Sequence, residues 1–139
     1  RDREALPLLL TLSSGVTGFT TVHAGSAAQG LTRLRFICQL AEEAAGLGPA
    51  TLTTLVAEAV DVVVHCTRGP DGPRVTEVIA VEDLATGDTG RFTTTPLVVR
   101  PHPDRPLVWS GLVPDRLTTR LATRGLDLAP MLRATGGER

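Results

Sequence analysis

Lysine is missing from this chain, so all fourteen of its Lys-plus-Arg side chains are arginines. A phosphate-binding loop of the G-x-x-x-x-G-K-[ST] type needs a lysine to reach the terminal phosphates of a nucleotide. Such a loop cannot be present, and we do not expect the chain alone to hydrolyse a nucleotide. The arginine-only usage, with abundant Ala, Leu, Gly, Thr and Val, indicates a GC-rich bacterial genome.

Cysteine and histidine are scarce, with two and three residues respectively. Cys38 and Cys66 lack C-x-x-C spacing and the histidines lack H-x-x-x-H spacing, so we predict free thiols and no metal site. His65 and Cys66 are adjacent on a predicted strand. Neighbours on a strand point to opposite faces, which excludes this pair as a nucleophile with its base.

Long apolar runs are also absent, and none approaches the roughly 20 residues that cross a bilayer. We therefore expect no direct membrane insertion. The formal charge of −1 and the pI near 6.3 provide no general attraction for nucleic acid. With 139 residues, 42% hydrophobic and 21% charged, the chain is expected to fold as a soluble unit. Because it opens on Arg1 and shows no signal-peptide pattern, we expect it to be an excised part of a longer protein.

Helical patterns occupy much of the first half of the chain. Residues 4–13 form a short apolar helix with Pro7 in its first turn. Ser26 and a glutamine three residues later form a capping box, which predicts a helix that continues to Ala45. Residues 50–60 form a further apolar stripe, so three helices are expected.

Strand patterns follow and partly interleave. Phe19 to His23 is short and rich in β-branched residues, and 62–66 is a continuous apolar run of the kind buried on both faces. Turn clusters at 69–73 and 86–90 separate the next two strands, 75–81 and 91–99, into an antiparallel meander. Pro96 favours an edge position in that meander.

A stiff, proline-rich connection spans 101–106 and leads to a short apolar stretch at 107–109. Pro114 can begin a helix whose Leu117 and Leu121 share one side. Gly125 suits its end, and a last helical turn is expected near 127–132. The pattern therefore predicts an α/β fold.

The segment from His23 to Ser26 joins a predicted strand to a helix N-terminus, where unpaired N–H groups can hold a phosphate. The alternative is that Ser26 only caps its helix and His23 is an ordinary strand-end residue. Spacing alone leaves both interpretations open.

Six segments, taken in order, resemble one bacterial family, the type II and type IV secretion ATPases that include the tight-adherence pilus ATPases. They are R-D-R-E-A at 1–5, S-G-V-T-G at 14–18, T-T-V-H-A at 20–24, L-T-R-L at 31–34, A-E-A-V-D-V-V-V at 57–64 and R-V-T-E-V at 74–78. In that family the order is an arginine and Glu-Ala after the Walker B strand, a Thr-Gly-His turn, a strand ending in T-[IVL]-H-A, and a helix with R-L.

This resemblance implies the C-terminal part of a RecA-like P-loop NTPase domain, with a mixed sheet flanked by helices and an antiparallel C-terminal meander. Residues 1–100 would be the second half of the ATPase domain, and 101–139 an extension with short helices. The parent protein would be a homo-hexamer that uses ATP and Mg²⁺ for pilin assembly or protein export. It would lie in the cytoplasm, at the inner face of the membrane, against a platform protein.

The resemblance also implies roles for individual residues. His23 matches the His-box histidine, which couples the terminal phosphate to subunit movement. Arg1 and Glu4 match the segment after Walker B, and Arg33 matches a helix arginine near the subunit interface, so these three are expected at the nucleotide site. Val16 stands where the family has the histidine of Thr-Gly-His, and the following loop is one residue shorter. Phosphate sensing in this turn is therefore expected to differ.

Two rivals to a motor ATPase come from other functional classes. One is a non-enzymatic interaction module that binds a protein through Arg33, Arg35 and the edge of the meander. The other is a hydrolase that uses Cys66 or His23 without a nucleotide. An activated Cys66 would react fast with thiol reagents at neutral pH, which distinguishes this last class.

Overall fold

A computed structural model describes residues 4–41, 46–84 and 90–135. These residues form five α-helices and one four-stranded antiparallel sheet of order β1-β2-β3-β4. In chain order the elements are α1 (Ala5–Ser13), α2 (Ala27–Gln39), α3 (Pro49–Ala59), β1 (Val62–Gly69), β2 (Gly72–Val81), β3 (Thr94–Val99), β4 (Val108–Trp109), α4 (Asp115–Ala122) and α5 (Leu128–Thr135).

The chain packs as two units. The helical unit contains α1 to α3 with residues 83–84 and 90–93, and the sheet unit contains the four strands with α4 and α5. The fold class is mixed α/β, as predicted. Every strand pair in the described residues is antiparallel, so the mixed sheet is not seen there. The predicted boundary at residue 100, between the ATPase-domain part and the C-terminal extension, rests on the family resemblance and stays a prediction.

The helical unit is built around the apolar stripes that the sequence shows. α1 and α3 lie where the patterns at 4–13 and 50–60 predict them, and α2 begins directly after Ser26. Their inner side chains are almost fully buried: Leu6, Leu9, Leu31, Leu34, Cys38, Leu52 and Val56. α2 ends at Gln39, earlier than predicted; the Leu40 N–H closes the helix on the Phe36 and Ile37 carbonyls, and the Leu40 side chain is 62% exposed. Residues 42–45 lie outside the described residues.

The predicted strand from Phe19 to His23 is wrong, because this segment is not part of any strand in the described residues. Phe19 is 104% exposed. A β-branched segment becomes a strand only when a neighbouring strand accepts its backbone hydrogen bonds and covers a face. None of the described strands pairs with residues 19–23. High β-propensity therefore gave the wrong assignment here.

β1 and β2 form the predicted hairpin, closed by the pair Gly69–Gly72. Gly72 has a φ of +116°, a conformation that side chains other than glycine rarely adopt. The prediction that β1 is buried on both faces is wrong. β1 is an edge strand, and Val62 and Val64 are 38% and 53% exposed. The turn predicted at 86–90 lies largely outside the described residues.

β3 occupies an inner position between β2 and β4, so the edge position predicted from Pro96 is also wrong. The short partner strand explains how the proline is tolerated. β4 pairs only with Val98 and Val99, and the ladder ends before Pro96 is reached. No β4 residue therefore needs the N–H that proline lacks.

Helices α4 and α5 cover one side of the sheet unit. Leu117 and Leu121, predicted to share one side of the helix, both pack against a cluster formed by Ala80, Leu97, Leu128 and Leu132. Gly125, with a φ of +73°, follows α4 where the predicted stop lies. The last helix, α5, runs on to Thr135 rather than ending near 132. Among the described residues, no helix has the length and apolar character to cross a membrane.

Candidate functional site

The N-terminus of α2 is fixed by a reciprocal pair of side-chain hydrogen bonds. The Gln29 N–H donates to Ser26 Oγ at 3.1 Å, and the Gly25 N–H donates to Gln29 Oε1 at 3.2 Å. Side chains thus satisfy two backbone donors that a bound phosphate would otherwise meet. The structure confirms Ser26 as a helix cap.

His23 lies three residues before this cap, in the irregular segment between α1 and α2, and its side chain is exposed. Gly15, with a φ of +95°, ends α1 and turns the chain into that segment. Its N–H donates to the Leu12 carbonyl at 3.1 Å. The altered Ser-Gly-Val turn is therefore a helix C-terminal turn, and His23 lies in the irregular segment beyond it.

The other predicted site residues lie on the same unit. Glu4 is exposed at the N-cap of α1 and makes no side-chain cap, and Arg33 is exposed on α2. Arg1 lies outside the described residues. Within the part that is described, no hydrogen bond or ion pair joins His23, Glu4 and Arg33. The structure places these side chains on one helical unit without bringing them into contact.

Arg35 is two residues from Arg33 but has a different environment. Its Nη1 donates to Thr53 Oγ1 at 3.0 Å and to the Gly90 carbonyl at 2.8 Å, and its guanidinium lies 5.8 Å from the centre of the Phe92 ring. It fastens residues 90–92 to α2 and α3 by polar and cation–π contacts. Arg35 is thus a structural residue.

Arg33 borders a shallow surface groove of about 460 Å³ along α2. Phe36, 57% exposed, lies beside it. The groove is lined by Ala28, Gln29, Thr32, Arg33, Arg35, Phe36 and Gln39. An exposed cation next to an exposed aromatic ring is a common feature of protein-binding surfaces.

A polar cluster that the sequence did not reveal lies in the sheet unit. His65 Nδ1 is 2.7 Å from Thr76 Oγ1 and 3.9 Å from Glu77 Oε1, while the Thr76 hydroxyl is 3.2 Å from the His65 carbonyl. A β-bulge causes this arrangement. Beyond it Cys66 pairs with Val75, whereas His65 pairs with Glu77, so Thr76 is the extra residue.

This cluster ties the two strands together, and the hydroxyl beside the imidazole, that of Thr76, donates to the His65 carbonyl. The His65 side chain is only 14% exposed, and Cys66 on the far side of the bulge is exposed. The bulge could be predicted only from the pairing register of β1 and β2, and a single sequence does not determine that register. The hairpin turn alone would have paired His65 with Thr76.

The cysteines are both free, as predicted, and differ in accessibility. Cys38 is fully buried on α2, and burial raises the pKa of its thiol above the ordinary value. Cys66 is exposed on β1. Among the described residues, His, Cys, Asp and Glu side chains form no group of three that could hold a metal ion.

The chain is similar to a known bacterial protein. Over 88 residues it is 36% identical to the probable conjugal transfer protein TrbB of Sinorhizobium fredii (strain NBRC 101917 / NGR234). The match covers 63% of this chain and 25% of that protein, so the chain corresponds to about a quarter of the length of this curated relative. No known family profile matches the chain.

Proposed function

We propose that the chain is the C-terminal part of a secretion-type motor ATPase, whose parent protein couples ATP hydrolysis to pilin assembly or protein export. The observation that carries the proposal is the 36% identity with a probable conjugal transfer protein over 88 residues. Six motif segments in the order of the secretion ATPases also support it. At the broadest level we propose a link to conjugal transfer and type IV secretion. The assignments to pilin assembly and to a hexamer are more specific proposals within that link.

The placement of the motif residues is compatible with this function. His23 is exposed on the segment between α1 and α2, and Glu4 and Arg33 are exposed on those two helices. In the motor, His23 would couple the state of the terminal phosphate to movement of the helices. Glu4, together with Arg1, would face the nucleotide. Arg33 would face a neighbouring subunit.

ATP and Mg²⁺ do not fit the residues of this chain alone. The sequence contains no lysine and no G-x-x-x-x-G-K-[ST] loop to surround a triphosphate, and no three potential metal ligands cluster in the described residues. Hydrolysis would depend on a loop elsewhere in the parent protein. We therefore expect the 139-residue chain to be inactive by itself.

The parent protein is proposed to be a homo-hexamer on the cytoplasmic face of the inner membrane, working against a membrane platform protein. This assembly follows from the family resemblance. It predicts that the ATPase activity of the full-length gene product rises when the subunits associate, since motor ATPases of this type act between subunits.

The experiment is a steady-state ATPase assay on the full-length gene product, with His23→Ala as the test variant and the 139-residue chain as a blank. His102→Ala is the matched control, because His102 is an exposed histidine in the proline-rich connection, outside the motifs. We expect His23→Ala and the blank to be inactive and His102→Ala to retain activity. Equal activity of both variants would contradict the His-box role of His23. A full-length protein without a phosphate-binding loop would contradict the assignment as a motor ATPase.

A non-enzymatic interaction module is the second candidate, and the groove on α2 favours it. Arg33 and the 57%-exposed Phe36 form a surface that a protein partner could cover. The same assay separates the two candidates, since an interaction module leaves ATP unhydrolysed in the full-length protein.

A further inference from the structure

Residues 90–93, which we call the strap, directly precede β3 but pack with the helical unit. They belong to no helix or strand, and Gly90, Arg91 and Thr93 are exposed. A segment of this kind lacks the regular backbone hydrogen bonds of a helix or sheet, and such segments open more easily than helices and strands do. The position of the strap therefore depends on the contacts that it makes with the helices.

Arg35 on α2 supplies two of these contacts. Its Nη1 donates to the Gly90 carbonyl at 2.8 Å, and its guanidinium lies 5.8 Å from the centre of the Phe92 ring. A hydrogen bond from a charged donor is stronger than one between neutral groups, and the attraction between the cation and the ring adds to it. One side chain thus holds the strap at two points.

The guanidinium is also anchored to the helices themselves. Nη1 of Arg35 donates to Thr53 Oγ1 at 3.0 Å, and the Thr53 hydroxyl donates to the Pro49 carbonyl at 2.8 Å. Thr53 is completely buried, whereas the hydrogen bond to Gly90 lies at the solvent-exposed surface. Water can therefore replace the Gly90 carbonyl while the bond to Thr53 stays intact. The contact has a fixed inner part and an outer part that can be released.

We propose that the strap opens and closes on the helical unit as a local step, with Arg35 as its latch. Opening releases the Phe92 ring and leaves the guanidinium on α2, where it lines the groove together with Arg33. The surface that the groove presents to a partner therefore changes with the state of the strap. The latch requires neither a nucleotide nor a motor, so it can hold or fail independently of the function proposed above.

The test is limited digestion of the 139-residue chain by trypsin, which cuts after arginine, because the Arg91–Phe92 bond lies in the strap. The Arg74–Val75 bond, inside β2, is the internal reference, since a protease reaches it only when the strand unfolds. Mass spectrometry follows the first cut at each bond. At low protease concentration, the rate of cutting after Arg91 measures the population of the open strap.

We expect Arg35→Gln to speed the cut after Arg91 about tenfold, since losing a hydrogen bond from a charged donor shifts an opening equilibrium by that order. The cut after Arg74 should stay within about twofold. The matched control is Arg33→Gln, which removes the same charge from an exposed position on the same helix and leaves the latch intact. We expect it to change either rate by less than about twofold.

A second test variant, Phe92→Leu, loses only the attraction between the cation and the ring and should speed the cut after Arg91 about threefold. Its rate is divided by that of a free peptide of residues 86–97 with the same change, so the effect of a leucine beside the cut cancels. Far-UV circular dichroism checks that each variant is folded.

Three results would overturn the proposal. Equal rates after Arg91 in Arg35→Gln and Arg33→Gln would show that Arg35 does not hold the strap. A parallel rise at both bonds in Arg35→Gln would show global unfolding instead of a local step. A cut after Arg91 in the unaltered chain that is as fast as in the free peptide would show that the strap is not closed. If Arg35→Gln does not fold, Phe92→Leu decides, and an unchanged rate in that variant would contradict the latch.

Discussion

Two adjacent leucines on α1 allow the burial of the helical unit to be tested with the same change in helix propensity in both variants. Leu9 is completely buried, whereas Leu10 is 54% exposed. Replacement of a buried leucine by alanine removes the transfer free energy of its methyl groups and leaves a cavity, at a cost of about 2–5 kcal/mol. An exposed leucine should cost less than about 1 kcal/mol. Both variants alter helix propensity equally, so their difference measures burial.

The assay is urea unfolding of Leu9→Ala and Leu10→Ala, followed by circular dichroism at the helical band. With a loss of about 3 kcal/mol and a slope of about 1.5 kcal/mol per molar urea, the midpoint of Leu9→Ala falls by about 2 M. The midpoint of Leu10→Ala should move by less than about 0.7 M. Equal shifts in the two variants would show that the packing of α1 described above is wrong.

Four other predictions follow from the described contacts. Cys66 should react with a thiol reagent in the native chain while Cys38 reacts only after unfolding, and Cys66→Ser should abolish the native reaction. Burial raises the pKa of the Cys38 thiol, so just above the ordinary thiol pKa the thiol ionises in the unfolded chain but not in the folded one. The free energy of unfolding should therefore fall as pH rises through this range, and Cys38→Ala should weaken the fall. Ser26→Ala should lower stability by about 1 kcal/mol in urea unfolding, and Ser26→Asn, which keeps a cap, should not. Glu82→Ala should cost about 1–3 kcal/mol, measured by the fluorescence of Trp109, the single tryptophan in the same unit.

Local signals in the sequence were sufficient for the helices and for the first hairpin. The capping box at Ser26 set the start of α2, and the glycine-rich cluster at 69–73 set the turn between β1 and β2. In each case the chemistry that determines the element lies within a few neighbouring residues. Such signals can be read from one sequence.

Features that depend on distant partners could not be predicted in this way. The segment 19–23 has strand composition, yet a strand needs a neighbour, which composition does not supply. Pro96 was assigned to an edge because the brevity of β4 could not be known. The bulge at Thr76, and with it the His65 cluster, follows from a register that the whole sheet determines.

The candidate site was anticipated in part. Ser26 and Gln29 act as predicted, since their chemistry is local. The roles of His23, Glu4 and Arg33 came from the family resemblance, and the structure locates these residues without testing those roles. In the described residues no hydrogen bond or ion pair joins His23, Glu4 and Arg33. Without the family resemblance, the structure would not have indicated a site at these residues.

The order in which the chain enters the two units limits how the protein can be divided. The chain leaves the helical unit after Asp61, belongs to it again at residues 83–84 and 90–93, and leaves it before β3. Neither unit is a continuous stretch of sequence. A fragment cut after Asp61 would hold all three helices but would lack Gly90 and Phe92, which Arg35 contacts. Truncation at that apparent boundary therefore removes part of the unit it is meant to isolate.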